Sequence, residues 1–191
     1  MMTVLETWPE PKPIKLTIED FMHLDETGAF RVYAKTELIG GTIVAMNSQL
    51  SAHARFKSRL FRRIADAVEV ALPDYEAWVE VSVAIPPVDM PEPDVVVTRF
   101  KPTGMRMPVP VDTVALLVEI ADTTARYDLG TKALLYASAG VPEYWVADIA
   151  AGSIHQFWKP EPDGYVEHRQ QSLGTRLEAV STPLAIDIPE A

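Results

Sequence analysis

The run VALLVEI at residues 114–120 constrains the fold more than any other segment of the chain. It is apolar throughout except for Glu119, and aliphatic residues of this kind favour a strand that is buried on both faces. Such a strand lies inside a sheet whose two faces are covered by other elements. We therefore expect an α/β domain in which helices pack against a mixed sheet.

The segments around this run predict the element order α, β, β, β, α, β. Phe56, Leu60, Ile64 and Val68 recur every fourth position, which predicts an amphipathic helix over residues 51–72. Three consecutive strands favour an antiparallel meander, and a crossing helix then brings the fourth strand in parallel to one of them. The predicted strands cover residues 76–85, 93–100, 114–120, 143–149, 153–158 and 165–171, and the crossing helix covers residues 128–139.

The beginning of the chain differs from the rest. Prolines interrupt residues 1–15, which predicts an irregular N-terminal arm, and residues 16–191 are expected to form one domain. Thr17 and Asp20 indicate the capped start of a short helix, and Gly40-Gly41 indicates a hairpin turn between two short strands.

Composition excludes several classes of protein. The 191 residues include no cysteine, so disulfides, thiolate metal sites and a cysteine nucleophile are excluded. The first residues do not resemble a signal peptide and no apolar stretch approaches membrane-spanning length, so we expect a cytoplasmic protein. The net charge of −10 argues against a protein that coats nucleic acid. One segment, HARFKSRLFRR at residues 53–63, is locally basic although the whole chain is acidic, and we call it the basic patch.

Carboxylates occur where predicted strands begin and end. Asp94 precedes one strand and Glu119 lies near the end of the next, so antiparallel pairing would place both at the same edge of the sheet. Glu80 would join them if the register of its strand allows, and Glu37 precedes the hairpin turn. Mg²⁺ takes oxygen ligands, usually from one or two carboxylates, which predicts a metal site here. Lys132 shares a helix face with Asp128.

Each of these residues also has an ordinary structural explanation. Asp128 and Lys132 could form a helix ion pair worth roughly 0.2 to 0.5 kcal/mol. Asp94 could belong to a turn, and Glu119 could be the polar end of a strand. The basic patch could be the solvated face of its helix. The sequence contains no phosphate-binding glycine loop or serine elbow, and nothing in it indicates an aromatic platform for stacking bases.

Four segments resemble, in order, the motifs of the Uma-two family of endonucleases within the PD-(D/E)XK superfamily. They are TELIGGTIVAM with a later histidine, PEPDVVV, LLVEIADTTARYDLGTKALLYASAGVPEYWVADI and DGY. The resemblance covers roughly residues 16–187. It implies a restriction-endonuclease-like αβββαβ core with flanking helices and extra C-terminal strands.

The resemblance also implies roles for individual residues. Asp94 and Glu119 would bind Mg²⁺ or Mn²⁺. The superfamily usually has a lysine two residues after the second acid, where Ala121 stands here, and Lys132 from the next helix matches its replacement. Further matches are Asp128, the early acid Glu37 and His53 at the start of the long helix. Thr42 departs from the family pattern, which often has a glutamate there, and Glu80 stands where relatives often carry glutamine and is a further candidate metal ligand.

These observations predict an endonuclease that hydrolyses phosphodiester bonds with Mg²⁺ or Mn²⁺. Its catalytic residues would be Asp94, Glu119, Lys132, Glu37 and Asp128. DNA is the expected substrate and a homodimer the expected assembly, with nucleic acid contacted by His53, Arg55, Arg59 and Arg62. Two alternatives remain open at this point: a non-catalytic nucleic-acid-binding or assembly module that keeps the fold, and a hydrolase of smaller phosphate esters.

Overall fold

A computed structural model of the chain describes residues 12–47 and 49–191. Most of the predicted N-terminal arm, residues 1–11, lies outside the described residues, and residues 12–17 have no regular secondary structure. In chain order the elements are α1 (Ile18–Glu26), β1 (Lys35–Ile39), β2 (Thr42–Met46), α2 (Ser51–Ala71), β3 (Glu76–Val79), β4 (Val83–Ala84), β5 (Val95–Thr98), β6 (Val109–Pro110), β7 (Val114–Ala121), α3 (Ala125–Tyr127), a π-helical turn (Asp128–Lys132), α4 (Ala133–Ser138), β8 (Glu143–Asp148), β9 (Ser153–Glu161), β10 (Gly164–Ser172), β11 (Arg176–Glu178) and β12 (Ala185–Asp187).

The main sheet is mixed. Within the described residues it has six strands in the order β10-β9-β8-β7-β5-β3. The pairs β3–β5 and β5–β7 are antiparallel, and β7–β8 is parallel because α3 to α4 cross between these two strands. This topology confirms the predicted meander followed by a crossing helix.

Both faces of β7 are covered, and all eight of its residues are buried. On one face Phe56, Leu60 and Ile64 of α2 belong to the same core as Leu116 and Val118. On the other face the core around Leu117 includes side chains of the α4 helix and β8. A strand between two apolar layers needs apolar residues at consecutive positions, which explains the continuous run in the sequence.

The segment predicted as one strand over residues 76–85 is interrupted. β3 ends at Val79, and Glu80 has a φ of 50°, a left-handed conformation that a regular strand does not accommodate. The chain then leaves the main sheet, and β4 pairs in parallel with β6. The prediction of a single long strand was therefore wrong.

The crossing helix also differs from its predicted form. It begins at Ala125 rather than at Asp128, and residues Asp128–Lys132 form a π-helical turn instead of continuing an α-helix. Its predicted end at Gly140 is confirmed, because α4 stops at Ser138 and Gly140 has a φ of 75°. Among the described residues no helix is long and apolar enough to cross a membrane.

Candidate active site

Asp94 and Glu119 lie next to each other at one end of the sheet. Val95 pairs with Val118 across the antiparallel β5 and β7, so the residues just beyond this pair are neighbours on adjacent strands. The backbone N–H of Ile120 donates to Asp94 Oδ2 at 2.8 Å, which fixes this carboxylate against the end of β7. Both acids are almost fully buried. The predicted juxtaposition is therefore present.

Lys132 joins this pair from the crossing helix. Its Nζ lies 2.8 Å from Glu119 Oε1 and 3.1 Å from Glu37 Oε1, and the lysine is only 1% exposed. The Tyr136 hydroxyl donates to the same Glu119 oxygen at 3.1 Å. Strand β1, which carries Glu37, is held in place because Leu38 forms an antiparallel bridge with Met90. Three separate elements thus bring their side chains to one point.

The π-helical turn sets the position of Lys132. The N–H of Ala133 donates to the carbonyl of Asp128, five residues earlier, which makes this turn wider than an α-helical one. Asp128 is buried and accepts a hydrogen bond from Thr124 Oγ1 at 2.5 Å. No ion pair joins Asp128 to Lys132 in the part of the chain that the structure describes. The wide turn instead directs the lysine to Glu119 and Glu37.

A second lysine, Lys57, contacts Asp94. Lys57 Nζ lies 3.3 Å from Asp94 Oδ1 and 2.5 Å from Glu80 Oε1. His53 Nε2 lies 3.3 Å from the same Asp94 oxygen, and Gln49 Nε2 donates to it at 3.2 Å. In the sequence, Lys57 was recognised only as part of the basic patch. Its spacing from His53 is a signal that could have identified it, because residue 57 follows His53 by about one helical turn and so shares its helix face.

The environment moves the pKa values of these groups in different directions. Burial raises the pKa of Glu119 to about 8, opposed by Lys132 and reinforced by the carboxylates of Asp128, Asp94 and Glu37. Burial disfavours the charged form of Lys132, but Glu119 and Glu37 outweigh this effect and raise its pKa. Burial also raises the pKa of Asp128.

For Asp94 burial is the largest single effect and acts upward, but it is outweighed. The hydrogen bond and charge of His53, the backbone N–H of Ile120 and the charge of Lys57 together lower the pKa of Asp94. Two adjacent carboxylates therefore have pKa values shifted in opposite directions, which is common in sites that perform acid–base or metal chemistry.

Asp94, Glu119, Asp128 and Lys132 line one open cavity of about 290 Å³. Its wall includes Asp94, Glu119, Asp128, Lys132, His53, Lys35, Met46, Asn47, Gln49, Leu50, Ile120, Asp122, Thr123 and Thr124. A small polar ligand can therefore reach the cluster from solvent, although its charged side chains are largely buried.

Comparison with known proteins shows the family and the fold of the chain. A family model described as "Uma2: Putative restriction endonuclease" matches residues 18–189. The chain belongs to the Uma2 family. A crystal structure described as "a putative nuclease belonging to DUF820" from Anabaena variabilis ATCC 29413 superposes with a TM-score of 0.69. The match covers 90% of this chain and 92% of that chain at 17% identity, which shows a shared fold. The predicted family resemblance and fold class are thus confirmed. No curated protein matches the chain.

The carboxylate oxygens of the site are suited to Mg²⁺. Among the described residues, both hydrogen bonds to Glu119 end on Oε1, so Oε2 has no protein donor. Glu37 Oε2 is buried and has no donor within the same part of the chain. Residues 12–47 and 49–191 contain no group of three or more His, Asp or Glu side chains arranged around a metal position. Two carboxylates, completed by water and phosphate oxygens, still fit Mg²⁺ or Mn²⁺.

The remaining predicted site residues, Glu80 and three arginines of α2, lie farther from the cavity of about 290 Å³. Glu80 is half-exposed, pairs with Lys57 and lines a neighbouring cavity instead. Arg59 donates to the carbonyl of Glu190 at 3.1 Å, so it faces the C-terminal segment. Arg55 and Arg62 are exposed on α2. The structure thus brings together Asp94, Glu119, Lys132, Glu37, Asp128 and His53, but not Glu80 or the arginines.

Proposed function

We propose that this Uma2 protein is a metal-dependent endonuclease that hydrolyses nucleic-acid phosphodiester bonds, with DNA as the expected substrate. One observation carries the proposal: Asp94, Glu119 and the buried Lys132 meet from three elements in an open cavity. Membership of the family supports the reaction class. Mg²⁺ or Mn²⁺, held by Asp94 and Glu119, would supply the Lewis acidity that activates water and stabilises charge on the phosphate.

The residues of the chain have separate tasks in this proposal. Lys132 holds Glu119 through a 2.8 Å contact and provides a fixed positive charge beside the position of the scissile phosphate. Glu119, Glu37 and Asp128 keep this buried lysine charged. His53 and Lys57 hold Asp94 in its ionised form, as a metal ligand requires. Arg55 and Arg62 remain proposed phosphate contacts because both are exposed.

Cleavage assays test the reaction. Wild-type protein is incubated with supercoiled plasmid, linear duplex, single-stranded DNA and RNA, with Mg²⁺, with Mn²⁺ or with chelator. We expect metal-dependent cleavage that falls by about 100-fold or more in Asp94→Asn and in Glu119→Gln, since a lost metal ligand removes several kcal/mol of transition-state stabilisation. Glu167→Gln is the control, because this partly exposed acid on β10 pairs with Lys159 outside the site.

The same variants separate the alternatives. The melting temperature of the wild type should rise with Mg²⁺ or Mn²⁺, and that of Glu119→Gln should not. If metal leaves both melting temperatures unchanged, the proposal of a metal site is wrong. If metal binds but no nucleic acid is cleaved, hydrolysis of an activated phosphate diester would indicate a smaller substrate, and its absence would indicate a binding or assembly module. Homodimer formation remains a prediction, for which sedimentation equilibrium gives the mass directly.

A further inference from the structure

A second and larger cavity lies beside the catalytic one. It has a volume of about 670 Å³, and three residues, Lys35, Asn47 and Gln49, line both cavities. Ligand pockets in proteins typically have volumes on the order of 300 to 1,000 Å³. The two cavities are therefore adjacent, and a molecule whose phosphate lies at Asp94 and Glu119 would extend past Lys35 to reach the larger one.

The wall of the larger cavity combines aromatic and cationic side chains. Tyr33 is 53% exposed and Phe30 is half-buried, and both line the cavity together with Arg31 and Lys35. Phe30, Arg31 and Tyr33 lie in the short segment that connects α1 to β1, and Lys35 is the first residue of β1. An exposed tyrosine next to cations is a common means of binding a nucleotide, because the ring stacks on a base while the cations attract the phosphates.

The acids in the same wall are neutralised by neighbouring cations. Asp25 pairs with Arg106 at 3.0 Å, Glu80 with Lys57 at 2.5 Å and Glu92 with Lys35 at 3.6 Å. The cavity therefore carries little net charge although the whole chain is acidic. A strand that relies on base stacking as well as on phosphate contacts can bind such a surface.

Base pairing decides which form of nucleic acid can use this cavity. In a duplex each base is stacked and paired, so a side chain in the wall reaches the face of a base only after that base leaves the helix. Leaving the helix is easiest for a base that is mismatched or already single-stranded. The duplex backbone, in contrast, is bound chiefly by many cations, and the net charge of −10 opposes such binding.

We propose that the larger cavity binds an unpaired nucleotide next to the scissile phosphate, with its base stacked on Tyr33, so that the substrate is single-stranded or locally unpaired nucleic acid. This assignment rests on the proposed endonuclease function. It also supplies the stacking platform that the sequence did not indicate, since Tyr33 lies in a connection without regular secondary structure.

Binding without hydrolysis tests the assignment. Fluorescence anisotropy measures the affinity of the full chain for a labelled oligothymidylate and for the matched duplex, in chelator so that no cleavage occurs. We expect the single strand to bind about tenfold more tightly or better. Tyr33→Ala should weaken single-strand binding by about tenfold or more, as expected for the loss of one stacked base, and Tyr33→Phe should not. Val32→Ala is the matched control, because Val32 is 86% exposed in the same segment and does not line the cavity.

Equal or tighter binding of the duplex would overturn the assignment, as would unchanged single-strand binding in Tyr33→Ala. These results are independent of the cleavage assay. Cleavage of duplex DNA without single-strand binding would retain the endonuclease and reject the Tyr33 site. Tyr33-dependent single-strand binding without cleavage of any nucleic acid would support the binding site and reject the reaction. Unchanged melting temperatures would confirm that the variants are folded.

Discussion

At the scale of single residues, the site depends on a charge balance. Lys132 is 1% exposed and lies within 3.1 Å of carboxylate oxygens of Glu37 and Glu119. Removing one partner of a buried ion pair leaves an uncompensated charge, which is much more destabilising than removing the pair together. The three residues should therefore behave as one energetic unit.

This balance predicts the outcome of a double-mutant cycle. Lys132→Met should lower the free energy of unfolding by about 3 kcal/mol or more, because two buried acids lose their shared cation. Adding Glu119→Gln should restore part of this loss, with a coupling energy of about 1 to 3 kcal/mol. Urea unfolding of the wild type, both single variants and the double variant, all without metal, measures the four values. Strictly additive effects would show that the contact contributes nothing to stability.

The sequence predicted some of these residues and missed others for a physical reason. Asp94 directly precedes β5 and Glu119 lies near the end of β7, so strand pairing alone placed them together. Lys57 of α2 and Gln49, just before this helix, contact Asp94 because α2 packs on the sheet, and no local pattern specifies that distance. Arg59 faces the C-terminal segment for the same reason, since its partner lies 131 residues away in the chain.

At the scale of elements, a different buried acid has a structural task. Glu143 at the start of β8 is fully buried, and Oε1 accepts hydrogen bonds from Trp145 Nε1 and Gln156 Nε2, each at 2.6 Å. Oε2 accepts from the backbone N–H groups of Val180 and Ser181 at 2.8 and 2.7 Å. This carboxylate therefore ties β8 both to β9 and to the segment between β11 and β12.

Glu143→Gln should destabilise this connection without affecting the site. An amide group would turn an N–H₂ donor toward two existing donors, at a cost of about 1 to 3 kcal/mol. Thermal and urea unfolding measure the loss, and Glu178→Gln on the exposed side of β11 should change stability by less than about 0.5 kcal/mol. A Mg²⁺ response lost in Glu143→Gln but kept in Glu178→Gln would contradict the separation of this structural acid from the proposed metal site.

Element types were more predictable than element boundaries. The spacing of Phe56, Leu60, Ile64 and Val68 identified α2 because that helix packs one continuous face on the sheet. The break at Glu80 was not predictable, since the alternating pattern continues through it and only a backbone φ of 50° shows that the strand ends. Local patterns report which face is buried, whereas the end of a strand depends on its neighbours.

At the scale of the whole molecule, the net charge of −10 limits how nucleic acid can bind. Lys132 in the smaller cavity, Arg31 and Lys35 in the larger one, and the proposed contacts Arg55 and Arg62 on α2 offer about five phosphate contacts. Since each contact with a single strand contributes roughly −0.7 to the slope of log affinity against log salt, we expect a slope of about −3.5. Anisotropy titrations of oligothymidylate at several KCl concentrations measure it. A slope of about −2 would show that the two arginines of α2 do not contact the strand.

The π-helical turn at Asp128–Lys132 has a consequence for how this segment can change during evolution. Each residue of an α-helix rotates the chain by about 100°, so deleting a single residue from the wide turn would swing every later side chain around the axis. Lys132 would then move away from the acids, and Tyr136, which follows it on the same helix, would move out of the core. Substitutions can therefore occur in this segment, but a change in its length would rotate the rest of the helix away from its present contacts. Insertions and deletions should accumulate beyond it, after Gly140.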